Sequence, residues 1–244
     1  MARKSRAGGA PVARNQPFVA RTVSAQIQSI ERAAAVLRLL TGRSGRRGVA
    51  DLANELDLPK GTVHGILRTL QAVGFVEQDG DSGKYQVGAA LLHIGSSYLD
   101  GNELRRRAIT WADALATQTG EGVRIGTLHE QLVLIVHHVP GPDDGSLSLG
   151  IGALLPVHIT ALGKALVAHP HVSDRGWASE VGELLPGTAS IAAPIENRKR
   201  RVVGAVAISG AIDRLCQANA PRPELAAYVM ECARAISRDL GATP

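Results

Sequence analysis

The stretch of residues 49–87 constrains the fold more than any other part of this chain, because two helical patterns and two strand patterns follow each other there without a break. In the first pattern, apolar residues recur at the i, i+3, i+4 and i+7 spacing of one helix face: Val49, Leu52, Ala53 and Leu56. Asp57-Leu58-Pro59 ends this helix, because a residue before proline is disfavoured in the α region. Pro59 then opens the next helix, where its missing N–H is not needed. The stretch therefore predicts a helix-turn-helix.

The second helix of this pair has two distinct faces. Its predicted inward stripe is Val63, Ile66, Leu67 and Leu70, which leaves toward solvent Lys60, Thr62, His64, Arg68 and Thr69. An apolar-backed helix with short polar and basic residues at its exposed N-terminal turn suits insertion into a DNA major groove. Helix pairs of this kind also serve as plain packing units, so the pattern alone leaves both interpretations open.

The residues around this pair complete a small domain. Residues 75–78 and 84–87 are strand patterns on either side of a Gly/Asp-rich loop, which predicts a β-hairpin. An earlier helix begins at Ser29, a capping residue, and ends at Gly42, and a basic loop that contains Arg46 and Arg47 follows it. Three helices and a hairpin predict a winged helix over residues 27–88.

Charge is concentrated at the start of the chain. Residues 1–47 hold ten Lys and Arg and one acid, a net charge of +9, so the other 197 residues carry −4 of the total of +5. Residues 1–26 have no sustained period and are predicted to be a disordered basic arm. Such an arm favours a polyanionic partner, although a solvated cationic extension has the same composition.

Composition excludes several other classes of protein. The chain has 45% hydrophobic and 20% charged residues, which is typical of a globular protein. No apolar run approaches the roughly 18–20 residues of a membrane span, and none is framed as a signal peptide. The two cysteines, Cys216 and Cys232, support neither a disulfide framework nor a cysteine zinc site. A cytoplasmic protein without membrane contact is expected.

The sequence pattern changes after the predicted winged helix. Helical patterns within residues 89–118 predict linker or dimerisation helices, with a plain packing role as the alternative. Residues 119–244 then predict an α+β domain with an antiparallel sheet. Its strands are expected at residues 122–128, 132–139, 146–151, 190–196 and 202–209, and its helices at 160–168, capped by Thr160, and from Pro223 or Glu224 to Leu240.

Several motifs together resemble the IclR family of bacterial transcription regulators: SIERAAAVLRLL, ADLANELDLPKGTVHGILRTL, GFVEQD…YQVG, LPVHITALGKAL, SIAAPI and VVGAVAISG. The resemblance covers residues 27–244. It implies an N-terminal winged helix-turn-helix domain that binds double-stranded operator DNA, joined by a linker helix to a GAF-like effector-binding domain. It further implies a homodimer or a dimer of dimers. No enzymatic activity, catalytic residue, metal or cofactor is implied.

The resemblance also assigns residues to two sites. The expected DNA-binding residues are Lys60, Thr62, Val63, His64, Arg68 and Thr69, with Arg46 and Arg47 of the basic loop and Lys84 of the wing. Relatives often have a longer polar residue at Gly65, so one base contact of the family is expected to be absent here. The expected effector-binding residues are Ala153, Leu154, Ala161, Leu162, Gly163, Glu180, Ser190 and Ser209. For each serine, a purely structural place in its strand is the alternative.

Three segments, KGTVHGILRTLQ, LIVHHV and RPELAAYVMECARAISRDLGA, look most similar to the regulators of actinobacterial glycerol operons. This likeness implies repression of a carbon-source operon, with glycerol or glycerol 3-phosphate as effector. One departure stands out, because only some 25 residues separate TALGKAL from SIAAPI, where relatives carry a longer, mostly helical insert. Residues 169–186 therefore predict a more open pocket or a lost wall, and an impaired response to effector.

Two other functions compete with this interpretation. His129, His137, His138 and His158 raise the possibility of a metal-dependent or other small-ligand enzyme. Adjacent residues on a strand point to opposite faces, so His137 and His138 are badly placed to bind one ion, and HExxH, GxSxG and glycine phosphate loops are missing. The second rival is a non-specific nucleoid-type DNA binder that acts through the basic arm.

Overall fold

A computed structural model describes residues 27–41, 45–142, 149–167, 175–218 and 220–242. The predicted arm, residues 1–26, lies outside the described residues. By its internal contacts the chain divides into two units, Met1–His93 and Ile94–Pro244. Among the described residues, no helix is both long and apolar enough to cross a membrane.

The first unit is a winged helix. Helices α1 (Gln28–Leu40), α2 (Val49–Glu55) and α3 (Lys60–Ala72) precede strands β1 (Val76–Gln78) and β2 (Tyr85–Val87), which pair antiparallel. A chain turn at Asp57, where φ is +51°, separates α2 from α3. All three helices and both strands contribute to one core, made of Val36, Leu40, Leu52, Ala53, Val63, Leu67, Leu70, Val76 and Tyr85.

Two local predictions in this unit are wrong by one or two residues. Ser29 does not cap α1, because the helix already begins at Gln28 and Ile27 holds the N-cap position. Pro59 precedes α3 as its N-cap instead of occupying the first helical position. Neither change alters which residues of α3 face the core.

Helix α4 (Ala89–Gly101) leads from the wing into α5 (Glu103–Thr119). The side chain of Asn102 accepts a hydrogen bond from the backbone N–H of Arg105 at 2.9 Å, which caps α5. None of the residues of α4 is buried in the single chain, although its sequence, AALLHIGSSYLDG, is largely apolar. This helix therefore carries apolar surface that the chain itself leaves uncovered.

The second unit is built on a six-stranded antiparallel sheet in the order β5-β4-β3-β8-β7-β6. Its strands are β3 (Gly122–His129), β4 (Leu132–Val139), β5 (Leu154–Pro156), β6 (Ala178–Val181), β7 (Thr188–Glu196) and β8 (Val202–Ala211). Helix α5 and the last helix, α8 (Pro223–Asp239), pack on one face. The short helix α6 (Ala161–Val167) packs on the other, and α7 (Ile212–Leu215) and a small hairpin, β9 (Cys216–Gln217) and β10 (Ala220–Pro221), follow β8. This arrangement confirms the predicted α+β class.

The sheet differs from its prediction in two strands. Of the strand expected at residues 146–151, residues 146–148 lie outside the described residues and Ile151 is in a turn, and the outer strand there is β5. Strand β6, which brings Glu180 into the sheet, was not predicted at all. Both are short outer strands, which are defined by their pairing with a neighbour more than by their own sequence.

Candidate functional site

The exposed side of α3 carries a line of cations. Lys60, His64 and Arg68 recur at every fourth residue and are exposed, so they lie along one face of the helix. His64 and Arg68 line a groove on this face together with small residues that include Gly61 and Gly65. Among the described residues, a Cβ at either glycine would meet no atom within 4 Å outside its own stretch of helix. Packing within the protein therefore does not require glycine at these positions.

The structure separates the predicted recognition residues into two groups. Lys60, His64, Arg68 and Thr69 are exposed, and Thr62 is half-buried. The hydroxyl of Thr69 donates a hydrogen bond to the Gly65 carbonyl at 3.0 Å. Val63 has no exposed surface and belongs to the core. We therefore remove Val63 from the recognition set, because a side chain on the inward stripe cannot also reach a DNA base.

The basic loop before α2 is tied into the wing. The backbone of Arg47 exchanges two hydrogen bonds with Tyr85, at 2.9 and 2.8 Å, and so extends the hairpin by one bridge. The guanidinium of Arg46 pairs with Asp79 at 2.9 Å, and that of Arg47 pairs with Glu55 at 2.5 Å. Both predicted DNA-contacting arginines thus already have carboxylate partners, whereas Lys84 lies exposed at the base of the wing loop.

The wing loop itself is organised by an acid. Asp79 accepts hydrogen bonds from the hydroxyl of Ser82 at 2.6 Å and from its backbone N–H at 2.9 Å. These bonds, with a smaller contribution from Arg46, hold the pKa of the Asp79 carboxyl below its usual value. The Asp79 carboxylate therefore remains anionic at the base of the wing, beside Arg46 and Lys84.

A second candidate site is a cavity of about 90 Å³ in the second unit. It lies between the sheet and the start of α6, and five of the eight predicted effector residues line it: Ala161, Leu162, Glu180, Ser190 and Ser209. Ser209, Ser190 and Glu180 are direct neighbours across β8, β7 and β6. Because residues directly opposite each other in an antiparallel sheet share a face, the three polar side chains form one row in the cavity wall.

Glu180 is almost completely buried. Its carboxylate accepts hydrogen bonds from the Ser190 hydroxyl at 2.9 Å and from the backbone N–H groups of Glu183 and Leu184 at 3.1 and 3.4 Å. Burial nevertheless raises the pKa of the Glu180 carboxyl, and the three hydrogen bonds offset only part of that effect. The cavity therefore contains a carboxyl group that holds its proton more tightly than an exposed glutamate.

Arg124 is a cavity residue that the sequence interpretation missed. It is 6% exposed, its Nε donates to the Leu149 carbonyl at 3.2 Å, and its Nη1 donates to the hydroxyl of Ser209. On β3 it stands opposite Ala207 of β8, on the same face as the row of polar residues. A signal was available, because arginine interrupts an otherwise apolar strand, GVRIGTL.

Three other predicted effector residues do not line the cavity. Leu154 is 50% exposed, and its neighbour Leu155 faces the cavity instead. Ala153 packs against the apolar cluster beneath α6. Gly163 is buried against the loop before α6, where a Cβ would lie 2.1 Å from the Val157 carbonyl oxygen. These residues shape the wall, and we remove them from the set of ligand contacts.

A side chain of the protein itself caps the start of α6. The hydroxyl of Thr160 accepts a hydrogen bond from the backbone N–H of Gly163 at 3.1 Å and donates one to the Pro156 carbonyl at 2.7 Å. Thr160 is therefore the cap that the sequence predicted, and it satisfies one of the N–H groups at the start of α6.

The adjacent histidines that raised the enzyme interpretation, His137 and His138, lie on opposite faces of the sheet. His137 is opposite Ile125, on the face covered by α5 and α8, whereas His138 is opposite Arg124, on the face of the cavity. Burial, with Arg105 nearby, lowers the pKa of His137, so its ring is held neutral. Within the described ranges, no three His, Cys, Asp or Glu side chains are grouped so that they could hold a metal ion.

A winged helix with a cationic exposed helix, followed by a sheet domain that encloses a small cavity with a row of polar side chains in its wall, is the arrangement of a regulator that carries DNA-binding and sensing functions in one chain. Family models match both parts: the IclR helix-turn-helix domain over residues 29–80, and the bacterial transcriptional regulator IclR C-terminal domain over residues 96–174 and 170–238. The chain belongs to the IclR family of bacterial transcription regulators, and its relatives are regulators and not enzymes.

Individual relatives agree. The chain is 54% identical to the glycerol operon regulatory protein of Streptomyces coelicolor and 49% identical to that of Streptomyces griseus, in each case over 88% of this chain and 97% of the relative. It is 27% identical to the transcriptional repressor IclR of Escherichia coli, over 88% of this chain and 91% of the relative. The crystal structure of an IclR transcriptional regulator from Alicyclobacillus acidocaldarius shares the fold, with a TM-score of 0.74 and 23% identity over 88% of this chain and 99% of that one.

The comparison also bears on the shortened segment. The 247 aligned positions shared with the Streptomyces coelicolor protein cover 88% of this 244-residue chain, or about 215 residues, so about 30 positions lie opposite gaps in this chain. The C-terminal family model matches in two pieces that meet at residues 170–174. Both findings agree with a chain that is shorter than its relatives after α6, in a region that includes residues outside the described ranges.

Proposed function

We propose that this protein represses a glycerol operon, or a related carbon-source operon, by binding its operator through α3, and that glycerol or glycerol 3-phosphate controls the binding. The observation that carries the proposal is the exposed line of Lys60, His64 and Arg68 on an apolar-backed helix. It occurs in a chain that is 54% identical to a glycerol operon regulatory protein. Such a regulator acts where the chromosome is, in the cytoplasm.

In this proposal some side chains of α3 contact phosphates and others contact bases. Lys60 and Arg68 contact phosphates, which position the helix without specifying the sequence. His64 and Thr69 are short polar groups that reach base edges in the major groove. Gly65 lies between these side chains on the exposed surface and lets the helix backbone approach the bases.

Arg46, Arg47 and Lys84 add phosphate contacts at the wing. Because the two arginines are already paired with Asp79 and Glu55, DNA must compete with those carboxylates for them. We therefore expect Lys84 to contribute more to affinity than either arginine. The relevant measurement is the affinity of Lys84→Ala for the operator against that of Arg46→Ala.

The cavity supports a small polar effector. A volume of about 90 Å³ lies well below the several hundred Å³ of pockets that take drug-sized ligands. Its polar wall contains one cation, Arg124, one carboxyl, Glu180, and the hydroxyls of Ser190 and Ser209. Hydroxyl groups of a polyol fit the serines and Glu180, and a phosphate group fits Arg124.

The shortened segment after α6 supports a weak response. A relative with about 30 further residues has more chain with which to cover its effector, and binding energy falls when part of a ligand stays exposed. We infer that this protein binds its effector less tightly than its longer relatives do. Titration calorimetry with glycerol and with glycerol 3-phosphate tests this, and tight binding of either compound would remove the inference.

Helix α4 supports dimerisation. Leu92, Ile94 and Tyr98 are 77%, 53% and 55% exposed. Ile94 and Tyr98 are four residues apart and share one side of the helix, whereas Leu92 lies on another. Large apolar side chains that are exposed together on one helix are ordinarily covered by other protein. We propose that residues 89–118 form the linker and dimer contact between a DNA-binding domain, residues 27–88, and an effector domain, residues 119–244, in a homodimer or a dimer of dimers.

Footprinting of the promoter beside the protein's own gene tests the function. We expect a protected segment of defined sequence, with protection reduced by glycerol or glycerol 3-phosphate. The rival function, non-specific binding through the basic arm, rests on the +9 charge of residues 1–47. It predicts equal affinity for promoter and scrambled duplexes and a steep loss of binding with salt.

A further inference from the structure

Half of the cations of the second unit lie in two short runs. Residues 94–244 contain fourteen Lys and Arg and fifteen Asp and Glu. Seven of the basic residues form the uninterrupted runs 105–107 and 198–201, so the rest of the unit has seven basic residues against fifteen acids. A surface that serves solubility alone intersperses the two signs. This segregation indicates a partner for the cations.

The fold brings the two runs to the same end of the unit. Leu104, next to the first run, packs on Gly204, three residues beyond the second, where a Cβ would lie 2.3 Å from the Leu104 Cδ2. The end of α8 is there too, because a Cβ on Gly241 would lie 3.4 Å from the Cβ of Arg198. We call residues 105–107 and 198–201 together the cationic end.

The second run is held on a fixed turn. The side-chain oxygen of Asn197 accepts hydrogen bonds from the backbone N–H groups of Lys199 and Arg201, at 2.9 and 3.2 Å. The backbone of Asn197 closes the turn through the Arg201 carbonyl at 3.0 Å and the Arg200 N–H at 2.8 Å. The side chains of residues 198–201 are exposed on this turn, and that of Arg200 also pairs with Glu196 at 3.1 Å. The backbone that presents these cations is therefore ordered before any partner binds, which lowers the cost of binding.

We propose that the cationic end contacts the phosphates of DNA that flanks the operator. The proposal rests on the proposed function, because a chain that is held on an operator by α3 keeps the second unit at high effective concentration beside a polyanion. Elsewhere the unit has an excess of acids, which phosphates repel, so contact is confined to this end. Arginine and lysine contacts to phosphate add affinity and fix position, and they do not read sequence.

The test uses fluorescence anisotropy of the full-length protein on two duplexes. The short duplex ends at the last base pair whose identity affects binding, and the long one adds about 10 bp, one helical turn, on each side. The hairpin variant is Lys199→Gln/Arg201→Gln, and the helix variant is Arg106→Gln/Arg107→Gln. The control, Arg175→Gln/Arg234→Gln, removes two exposed cations that lie outside both runs.

On the long duplex, we expect the slope of log K against log salt concentration to become shallower by about 0.9 for each phosphate that a variant no longer neutralises, in the hairpin and helix variants and not in the control. On the short duplex all four proteins keep one slope, and the preference for operator over scrambled sequence stays unchanged. The basic arm is the same in all four proteins, so it cannot produce the difference.

Equal slopes for control, hairpin and helix variants on the long duplex would overturn the proposal, and so would a change confined to the short duplex. Thermal unfolding and the assembly state in sedimentation velocity are measured first, because Arg106 and Arg107 lie within residues 89–118, the proposed linker and dimer contact. The two variants alter different elements, so a folding defect in one leaves the other as the test. A wild-type protein that shows no preference for the short operator duplex over a scrambled one would instead overturn the proposed function.

Discussion

Glu180 shows how one buried residue links the cavity to stability. Its pKa is raised by burial, so the folded protein keeps this proton to a higher pH than the unfolded chain does. The resulting contribution to stability is present below the ordinary pKa of glutamate, and it is lost as the pH rises through the folded-state value. Above that value the folded protein has to hold an ionised carboxylate in a buried place.

Glu180→Gln removes that charge and keeps the hydrogen bonds. The amide oxygen can accept from the N–H groups of Glu183 and Leu184, and the amide nitrogen can donate to the Ser190 hydroxyl. We expect the variant to be at least as stable as the wild type at neutral pH, with a flatter dependence of unfolding free energy on pH. Urea unfolding between about pH 4 and pH 7 measures this. A variant with the wild-type pH profile, or one no different from the control Glu231→Gln, would contradict the account of Glu180.

Gly65 lowers the stability of α3, and packing among the described residues does not require glycine there. Glycine in a helix costs about 1 kcal/mol relative to alanine, and in the part of the chain that the structure describes a Cβ here would meet nothing within 4 Å beyond its own stretch of helix. We therefore expect Gly65→Ala to raise the unfolding free energy by about 1 kcal/mol and to weaken operator binding. The comparison Gly163→Ala should lower stability, because its Cβ would collide with the Val157 carbonyl. If Gly65→Ala left operator affinity unchanged, close approach to DNA would not be the reason for the glycine.

Some of the site residues could be predicted from the sequence, and others could not. The exposure of Lys60, His64 and Arg68 follows from helical periodicity, which is local. Arg124 escaped because its place in the cavity depends on Ser209, 85 residues away in the chain. Val63 was assigned both to the core and to recognition, since a residue set carried over from relatives does not say which way each side chain points.

Among the elements, α4 carries the most specific expectation. Leu92→Glu/Tyr98→Glu places two charges on apolar surface that a single chain leaves exposed. If α4 is covered by a second copy, burial of those charges is unfavourable and the protein should dissociate toward monomers. Sedimentation velocity measures the assembly state, with Ser97→Glu, an exposed polar position on the same helix, as the control. Unchanged assembly of the double variant would exclude α4 as the contact.

Elements with their own periodicity and end signals were predictable, and elements defined by pairing were not. The pattern that predicts α8 lies within one continuous segment: an apolar stripe, with Pro223 at its start and Gly241, at φ +82°, after its end. The pattern that predicts the β7–β8 hairpin is also continuous in the sequence. Strand β6 has four residues, and it exists because β7 pairs with it. The start of α1 at Gln28 likewise depends on more than the capping preference of Ser29.

At the scale of the whole molecule, one chain contains a helix with an exposed line of cations and a small cavity with a row of polar side chains in its wall. The sequence predicted both parts, since each leaves a pattern in its own segment. It did not give the size of the cavity, because the lining residues come from six strands or helices and their connecting loops. Regulation then requires that effector binding in the second unit change the affinity of the first for DNA, and the two affinities must change by the same factor.

The central claim, that α3 reads an operator, is tested most directly by the affinity of Lys60→Ala/Arg68→Ala for the footprinted promoter duplex and for a scrambled duplex at one salt concentration. The wild type should prefer the promoter by about 10³-fold or more. The variant should bind the promoter at least about tenfold more weakly, with thermal stability unchanged, because both side chains are exposed and removal of a side chain that touches phosphate or base reduces affinity. A folded variant that binds the promoter as tightly and as selectively as the wild type would contradict the claim.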